Sequence, residues 1–403
     1  MAYNILLIYF IILSIFDIFI IKQKKNKFLI LTLAFLGYLF FFGFRGFIAW
    51  DWKNYYPNYI NVIPLYNIFQ NGEIKLNNIY TSFEIGYQIW LSFFKIFFSN
   101  WNMYLFFTTL IDILCLLFIF HKYSPYPIFS ILLFLGFNGL QIQLDLMRNL
   151  KAILIFLFSI EYLINNKNIK YIILNFLSSS FHRSCLMYLI MGYFLKKNFY
   201  KYKKIILVFF IFGIFFFLFS SNILYEILNT IRKILTNTRL NVFDKLVYKL
   251  NTYLFNDYAS ARGIGIGFIE RIFTFFIFYI YREKINKNKY GKIFFNIYLL
   301  YISSYLYGSG VRIIFERLGF LFICSYWILY PITLKNISKI KKIFLFFILV
   351  IFCGLKINIY TNFSLKAKEL YKYRNILWDK EIYEKKLILY NKVFERYDIT
   401  NKR

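Results

Sequence analysis

Residues 103–120 read MYLFFTTLIDILCLLFIF, an apolar run with one charge, Asp112. A helix rises about 1.5 Å per residue, so about 20 such residues cross the hydrocarbon core of a bilayer. Comparable runs lie on either side, at 3–21, 28–44, 128–146, 149–164, 205–221, 267–281, 293–309, 313–333 and 343–360. The first is expected to stay as a span, because its charges follow the apolar run and no small-residue cleavage site appears. Two stretches are ambiguous. Residues 85–98 are short and carry Lys95, so they either cross with tilt or lie in the interface. Residues 171–195 have a polar centre, Ser178-Ser179-Ser180 followed by His182-Arg183-Ser184. They form either one span or two half-helices meeting in a re-entrant hairpin around His182. A His-Arg pair at that depth is tolerated only beside protein or a water-filled cavity.

Composition agrees with this reading. Of 403 residues 60% are hydrophobic, 24% aromatic and only 17% charged, with a mean hydropathy of +0.55. A soluble domain has roughly 45–50% apolar and about 25% charged residues. A soluble globular enzyme, a coiled coil and a disordered chain are therefore excluded. The expected fold is an all-α polytopic integral membrane protein with about 10–12 transmembrane helices. Residues 1–360 are expected to form a single helical domain with outer-face loops at 45–102 and 222–266, followed by an amphipathic tail at 361–403.

The net charge of +30 would suggest nucleic acid in a soluble chain. Here the lysines cluster between apolar runs, so they mark topology and no nucleic-acid partner is expected. The clusters are Lys22/Lys24/Lys25/Lys27, Lys196/Lys197/Lys201/Lys203/Lys204, Arg282/Lys284/Lys287/Lys289/Lys292 and Lys335/Lys339/Lys341/Lys342. Placing all four inside puts the N-terminus, the 45–83 loop, the 222–266 loop, the 308–312 corner and the tail outside. Lys122, Lys167 and Lys170 favour Arg148 facing out, whereas Arg148 and Lys151 themselves favour the reverse. The first arrangement is preferred because it gathers Arg148 with Arg45 and Arg312. The four cysteines (Cys115, Cys185, Cys324, Cys353) lie within apolar runs, and the only histidines are His121 and His182. No CxxC occurs, so neither a metal site nor a disulfide framework is expected; the thiols read as small packing residues.

Ionisable residues in or beside spans are costly, which makes them the default functional candidates. Five segments qualify. Residues 44–59, FRGFIAWDWKNYYPNY, set Arg45 and Asp51 among Trp50, Trp52, Tyr55 and Tyr56. This suits an outer sugar site, or an ordinary interfacial aromatic belt. Glu84-Ile85-Gly86-Tyr87 offers a general base or a carboxylate favoured by a helix N-terminus. Arg148 opens the 149–164 span, where it can bind phosphate or pair locally with Asp145. Phe181-His182-Arg183-Ser184 places a histidine beside an arginine at expected mid-membrane depth, as a catalyst or as a satisfied structural residue. Arg312 and Arg317 flank Glu316 near an outer span end, a pattern suited to phosphate recognition or to a local ion pair. Asp112 and Glu161 are either parts of a proton path or structural partners. The Gly263–Gly267 alternation lacks a surrounding βαβ unit and is no dinucleotide fingerprint.

Taken in order, these segments resemble the EpsG family of bacterial polysaccharide polymerases, related to Wzy-type O-antigen polymerases. The resemblance covers roughly residues 28–335. It rests on an RG…D…Y segment (Arg45, Gly46, Asp51, Tyr55) and an E-x-G-Y segment (Glu84, Gly86, Tyr87). It continues with an R-[QN]-x-x-A opening (Arg148, Asn149, Ala152), an F-H-x-S segment (Phe181, His182, Ser184) and a late Glu316-Arg317. Asn149 stands where the family often has Gln, and Ala49 where it often has Gly; Lys151 is also unusual.

The resemblance implies a GT-C-like helical bundle and a metal-independent glycosyltransferase without cofactor, in the bacterial cytoplasmic membrane with an outward-facing site. Its substrate would be an undecaprenyl-diphosphate-linked oligosaccharide, moved from its carrier to the end of another lipid-linked unit. Arg148, Arg312, Arg317 and Arg45 would bind the diphosphate. His182, Glu84 or Asp51 would be the base. Trp50, Trp52, Tyr55 and Tyr87 would hold sugar. The bilayer, a flippase and a chain-length regulator are the expected partners. An O-antigen ligase, a lipid-linked oligosaccharide flippase or exporter and a membrane acyltransferase are the competing classes.

Overall fold

The computed structural model describes residues 1–403 apart from Lys22, 69–82, Ser220, 239–243, 256–262, 363–364, 380–381 and 402–403. It also leaves the side chains of 24–25, 67–68, 221–222, 245, 253, 312–315, 365–367 and 394–401 outside the described residues. Parts of the expected loops 45–102 and 222–266 and of the tail thus lie outside the description, as does the side chain of Arg312.

The chain divides into two compact units, Met1–Leu189 with Ser338–Arg403, and Ile190–Ile337. The first contains α1 (Ala2–Ile20), α2 (Lys24–Gly43), α3 (Trp52–Asn61), α4 (Ile85–Phe97), α5 (Trp101–Tyr123) and α6 (Pro127–Leu144). It continues through α7 (Met147–Ile164), α8 (Asn168–Phe181) and the start of α9 (Met187–Leu195). The second holds α10 (Lys203–Phe219), α11 (Ser221–Asn237), α12 (Asp244–Phe255), α13 (Ile266–Asn286), α14 (Gly291–Tyr307), α15 (Arg312–Phe322) and α16 (Cys324–Lys335). The chain then returns to the first unit with α17 (Lys339–Asn362) and α18 (Tyr383–Asn401). Among the described residues there is no strand, only one antiparallel bridge between Arg45 and Asn375.

Each of the ten apolar runs falls on a helix or on a pair of helices. Among the described residues, five helices are long and apolar enough to cross a membrane: α1, Asn26–Gly43 of α2, α5, α6 and α17. Two bent pairs, in α10–α11 and in α15–α16, raise the number to seven if each is one span. The protein is therefore an all-α, multi-pass membrane protein. Helix α6 is the most enclosed of the five, with every residue from Ile128 to Leu135 buried. It starts with Pro127 at its first turn and receives a second cap from α1, where the Asp17 carboxylate accepts the N–H groups of Ile128 (3.0 Å) and Phe129 (3.4 Å). All four cysteines are free thiols, and three are buried in the apolar interior.

The 171–195 stretch is not one straight helix. Helix α8 stops at Phe181, His182 is extended, and a short 3-10 turn leads into α9. The Tyr171 hydroxyl donates to the Tyr188 carbonyl at 2.5 Å. In a continuous helix those residues would stand about 25 Å apart, so the chain doubles back at His182. The ring of Tyr188 then stacks on Phe156 of α7 at 3.7 Å.

The tail folds onto the first unit. Gly46 N–H donates to the Arg374 carbonyl (3.0 Å) and Ile376 N–H to the Phe44 carbonyl (2.9 Å). Tyr371 and Asn375 are buried there, and Tyr383 and Tyr390 pack edge-on against Trp52. The 46–51 turn beneath them contains Ala49 at φ 74°, in the left-handed region. An L side chain there costs roughly 1–2 kcal/mol, part of which glycine returns through its freer unfolded chain. Ala49→Gly is accordingly expected to raise the thermal unfolding midpoint of the detergent-solubilised protein, by an equivalent of under about 1 kcal/mol. A lowered midpoint would mean that the buried Ala49 methyl group contributes more than the strain removes.

Candidate functional site

Three of the nominated residues, from three separate segments, meet at one place. Glu84 is the N-cap residue of α4, Arg148 lies in the first turn of α7, and His182 is the break between α8 and α9. Arg148 Nη1 is ion-paired and hydrogen-bonded to Glu84 Oε2, while its guanidinium lies 4.4 Å over the Phe83 ring. His182 Nδ1 stands 3.5 Å from Glu84 Oε1, and Arg183 N–H donates to that oxygen at 3.4 Å. The Glu84 carboxylate therefore binds the Arg148 guanidinium with one oxygen and faces the His182 break with the other. The side chains are 12–20% exposed, enclosed yet reachable.

The cluster is incomplete. Both ring nitrogens of His182 and Nε of Arg148 are buried without a hydrogen-bond partner. Buried polar groups of native proteins are nearly always paired, so three orphans at one spot make it the candidate site. Glu84 itself lies just outside the spanning helices. Burial opposes its ionisation, yet the contact with His182 and the charge of Arg148 prevail and pull its carboxyl down to about 2. A carboxylate held in this way favours its ionised form, which makes it a poor acceptor for a hydroxyl proton.

Close packing fixes this geometry. Gly86 lies against Ser180 of α8: a Cβ at Gly86 would stand 2.1 Å from Ser180 Oγ and 2.9 Å from its backbone carbonyl carbon. Ser178 Oγ donates to the Ala152 carbonyl at 2.8 Å, and Asn175 Nδ2 to Ser159 Oγ at 2.9 Å, joining α8 to α7. Gly86→Ala is expected to push α4 off α8, destabilise the protein by about 1–3 kcal/mol and separate Glu84 from His182. Adding Ser180→Ala should restore only part of the loss, because a backbone clash remains. Thermal unfolding of the single and double variants checks this, and full recovery in the double would confine the clash to the hydroxyl.

Other nominated residues take different positions. Arg45 is not presented at an outer edge. It is 3% exposed, and Nη1 donates to the Phe42 carbonyl (2.8 Å) and Thr109 Oγ1 (3.4 Å). Nη2 reaches the Gln143 carbonyl (3.4 Å) and Met147 Sδ (3.6 Å). Its donors are taken up inside the bundle, where it joins helices. Trp52, Tyr55 and Tyr87 are likewise no open sugar platforms, being buried at 4%, 2% and 0% exposure. Trp52 Nε1 donates to the Ala49 carbonyl (3.0 Å), and Tyr87 Oη shares a 2.9 Å hydrogen bond with Tyr104 Oη. Tyr55 lines the cluster: burial pushes its phenol up to about 12 against the pull of neighbouring Arg148. Trp50 is half-buried, and Asp51 takes the N-cap position of α3. Arg317 and the backbone of Arg312 belong to α15 in the second unit, and Arg317 is exposed.

The local Asp145–Arg148 pairing weighed from sequence does not form in the way that spacing suggests. Asp145 is a buried hub that accepts from Trp50 N–H (2.7 Å), Asp51 N–H (3.1 Å), Tyr360 Oη (2.7 Å) and Tyr371 Oη (3.0 Å). It ties the 46–51 turn, the α6–α7 corner, α17 and the tail together. Its signal was its place before Arg148, but its four partners come from segments distant in sequence. Asp112 and Lys151 were also noticed singly. They form one buried ion pair, with Lys151 Nζ 2.5 Å and 2.6 Å from the two carboxylate oxygens. Glu161, 3.5 Å from Lys122, is a partner at a helix end.

The fold defines an all-α, multi-pass membrane protein, here with a Glu–Arg–His cluster where three helix ends meet. The EpsG family pattern matches residues 28–375, a range that holds every residue of the cluster. The chain belongs to the EpsG family. No curated protein and no solved structure gives a match. Family membership points to a polysaccharide-polymerase type of function.

Proposed function

We propose that the protein is a glycosyltransferase that joins lipid-diphosphate-linked oligosaccharide units at the outer face of the bacterial cytoplasmic membrane. The observation that carries this reading is the meeting of Glu84, Arg148 and His182, with unsatisfied nitrogens, in a member of a polymerase-like family. An acceptor hydroxyl attacks the anomeric carbon of the donor glycan. The new C–O bond forms as the bond to the diphosphate breaks, the hydroxyl proton passes to a base, and the lipid diphosphate leaves. Arg148 stabilises charge developing on the diphosphate. His182 is the base, because Glu84 is held ionised by Arg148 and serves to orient both partners. Arg312 and Arg317 are further candidates for the lipid diphosphates, since donor and acceptor each carry one.

Deleting the gene and running the glycans on a gel that resolves chain length, with lipid-linked intermediates extracted in parallel, tests this. Single units on the carrier without long chains support polymerisation. Normal chains retained on the carrier mean ligation, and units trapped on the inner face mean transport. For the base, His182→Gln is expected to lose about 10²–10⁴-fold in rate while keeping the fold, since glutamine keeps a polar group but cannot take the proton. Retained activity in that variant would return His182 to a structural role.

A further inference from the structure

Helix α11 leaves the end of α10 at a bend of 72°. Its sequence, SNILYEILNTIRKILTN, divides the helix into three sectors. Leu224, Leu228 and Leu235, with Tyr225, pack against Leu250 and Leu254 of α12 and Val311. Glu226, Asn229, Thr230, Lys233 and Thr236 form the polar sector. The third sector is Ile223, Ile227, Ile231 and Ile234, which are 50%, 50%, 42% and 58% exposed. At 100° per residue these four isoleucines fall within about 80° of arc, between the leucines on one side and Thr230, at the edge of the polar sector, on the other.

We infer that α11 lies in the plane of the bilayer surface, with this isoleucine stripe inserted among the lipid chains. Three observations select lipid as the occupant. First, α10 is a wholly apolar helix after its opening lysines, with Val208, Phe209, Ile211, Phe212 and Phe215 exposed by 49–66%. Only hydrocarbon suits such a surface. With α10 as a span tilted by about 20°, a helix bent 72° from it lies within about 40° of the membrane plane. Second, the exposed apolar surface of α10 reaches its last residues, Leu218 and Phe219, shortly before α11 in the sequence. Third, a helix with a strong apolar face, a polar face and low overall hydrophobicity is the usual form of an interfacial segment. Lys233, on the polar side, can meet anionic headgroups. The expected 222–266 loop thus starts by running along the membrane surface. The inference does not depend on the proposed activity.

The test uses the full chain in nanodiscs of phosphatidylethanolamine and phosphatidylglycerol, with Cys115→Ala to remove the one thiol that is not buried. Ile227→Cys, Ile231→Cys and Lys233→Cys are labelled singly with bimane. Nitroxide on the lipid chains should quench the labels at 227 and 231, with aqueous iodide having little effect; the order should reverse at 233. Equal quenching by iodide at all three positions would overturn the inference, because the helix would then stand in water. Shielding of 227 and 231 from both quenchers would also overturn it, by showing that protein covers the stripe.

Discussion

Arg148→Ala is expected to abolish long-chain polymer while the protein still inserts and accumulates to its normal level. Removing one preorganised donor to developing charge slows catalysis by about 10²–10³-fold, and chain growth repeats that loss at every addition. Lipid-linked single units should build up as chains disappear. Arg148→Lys should recover little, because an ammonium cannot hold Glu84 and present further N–H donors in one plane. A structural explanation must be separated from this. Arg148 is ion-paired with the largely enclosed Glu84, so losing the pair itself costs some stability. Thermal unfolding near that of the wild type together with lost polymer therefore assigns Arg148 to the chemistry. Polymer of normal length at equal protein level would remove it from that role.

The helices were legible because membrane insertion imposes a length and an apolar character that short sequence windows record, though only five to seven of them qualify as spans among the described residues. All ten runs fall on helices, and the polar centre at Ser178–Ser184 marked the place where the chain doubles back. The cluster was legible only as separate nominations. Glu84, Arg148 and His182 are 64 and 34 residues apart in sequence. Each alone fitted a helix-dipole, phosphate-binding or structural role equally well. What brings them together is tertiary, namely the contact of Gly86 with Ser180 and the hydrogen bonds between α7 and α8. Arg45 and Trp52 were misplaced for the same kind of reason. Their segment has the composition of an interfacial belt, but Arg45 turns into the bundle toward Phe42, Thr109 and Gln143, and Trp52 is packed against Tyr383 and Tyr390 of the tail. An amphipathic, mixed-charge tail does not announce that partner.

The second large effect is expected at Lys151 and Asp112. Lys151 is 5% and Asp112 1% exposed, and the carboxylate also receives Gln143 Nε2 at 3.4 Å, itself bound through Oε1 to Tyr38 Oη at 2.8 Å. Replacing a buried ion pair by apolar groups can be neutral, but removing one partner strands a charge and costs about 3–5 kcal/mol. Lys151→Met and Asp112→Asn should therefore each lower the unfolding midpoint sharply, and the double variant should recover most of the loss. Lys151 lies one helical turn beyond Arg148, so its bond to α5 sets the rotation of α7 and the direction in which Arg148 points. Polymer formation should accordingly fall in both singles and return with stability in the double. Additive losses, with no recovery in the double, would show that the two residues act separately. Recovery of stability without polymer would show instead that the pair has a role in the reaction beyond holding α7.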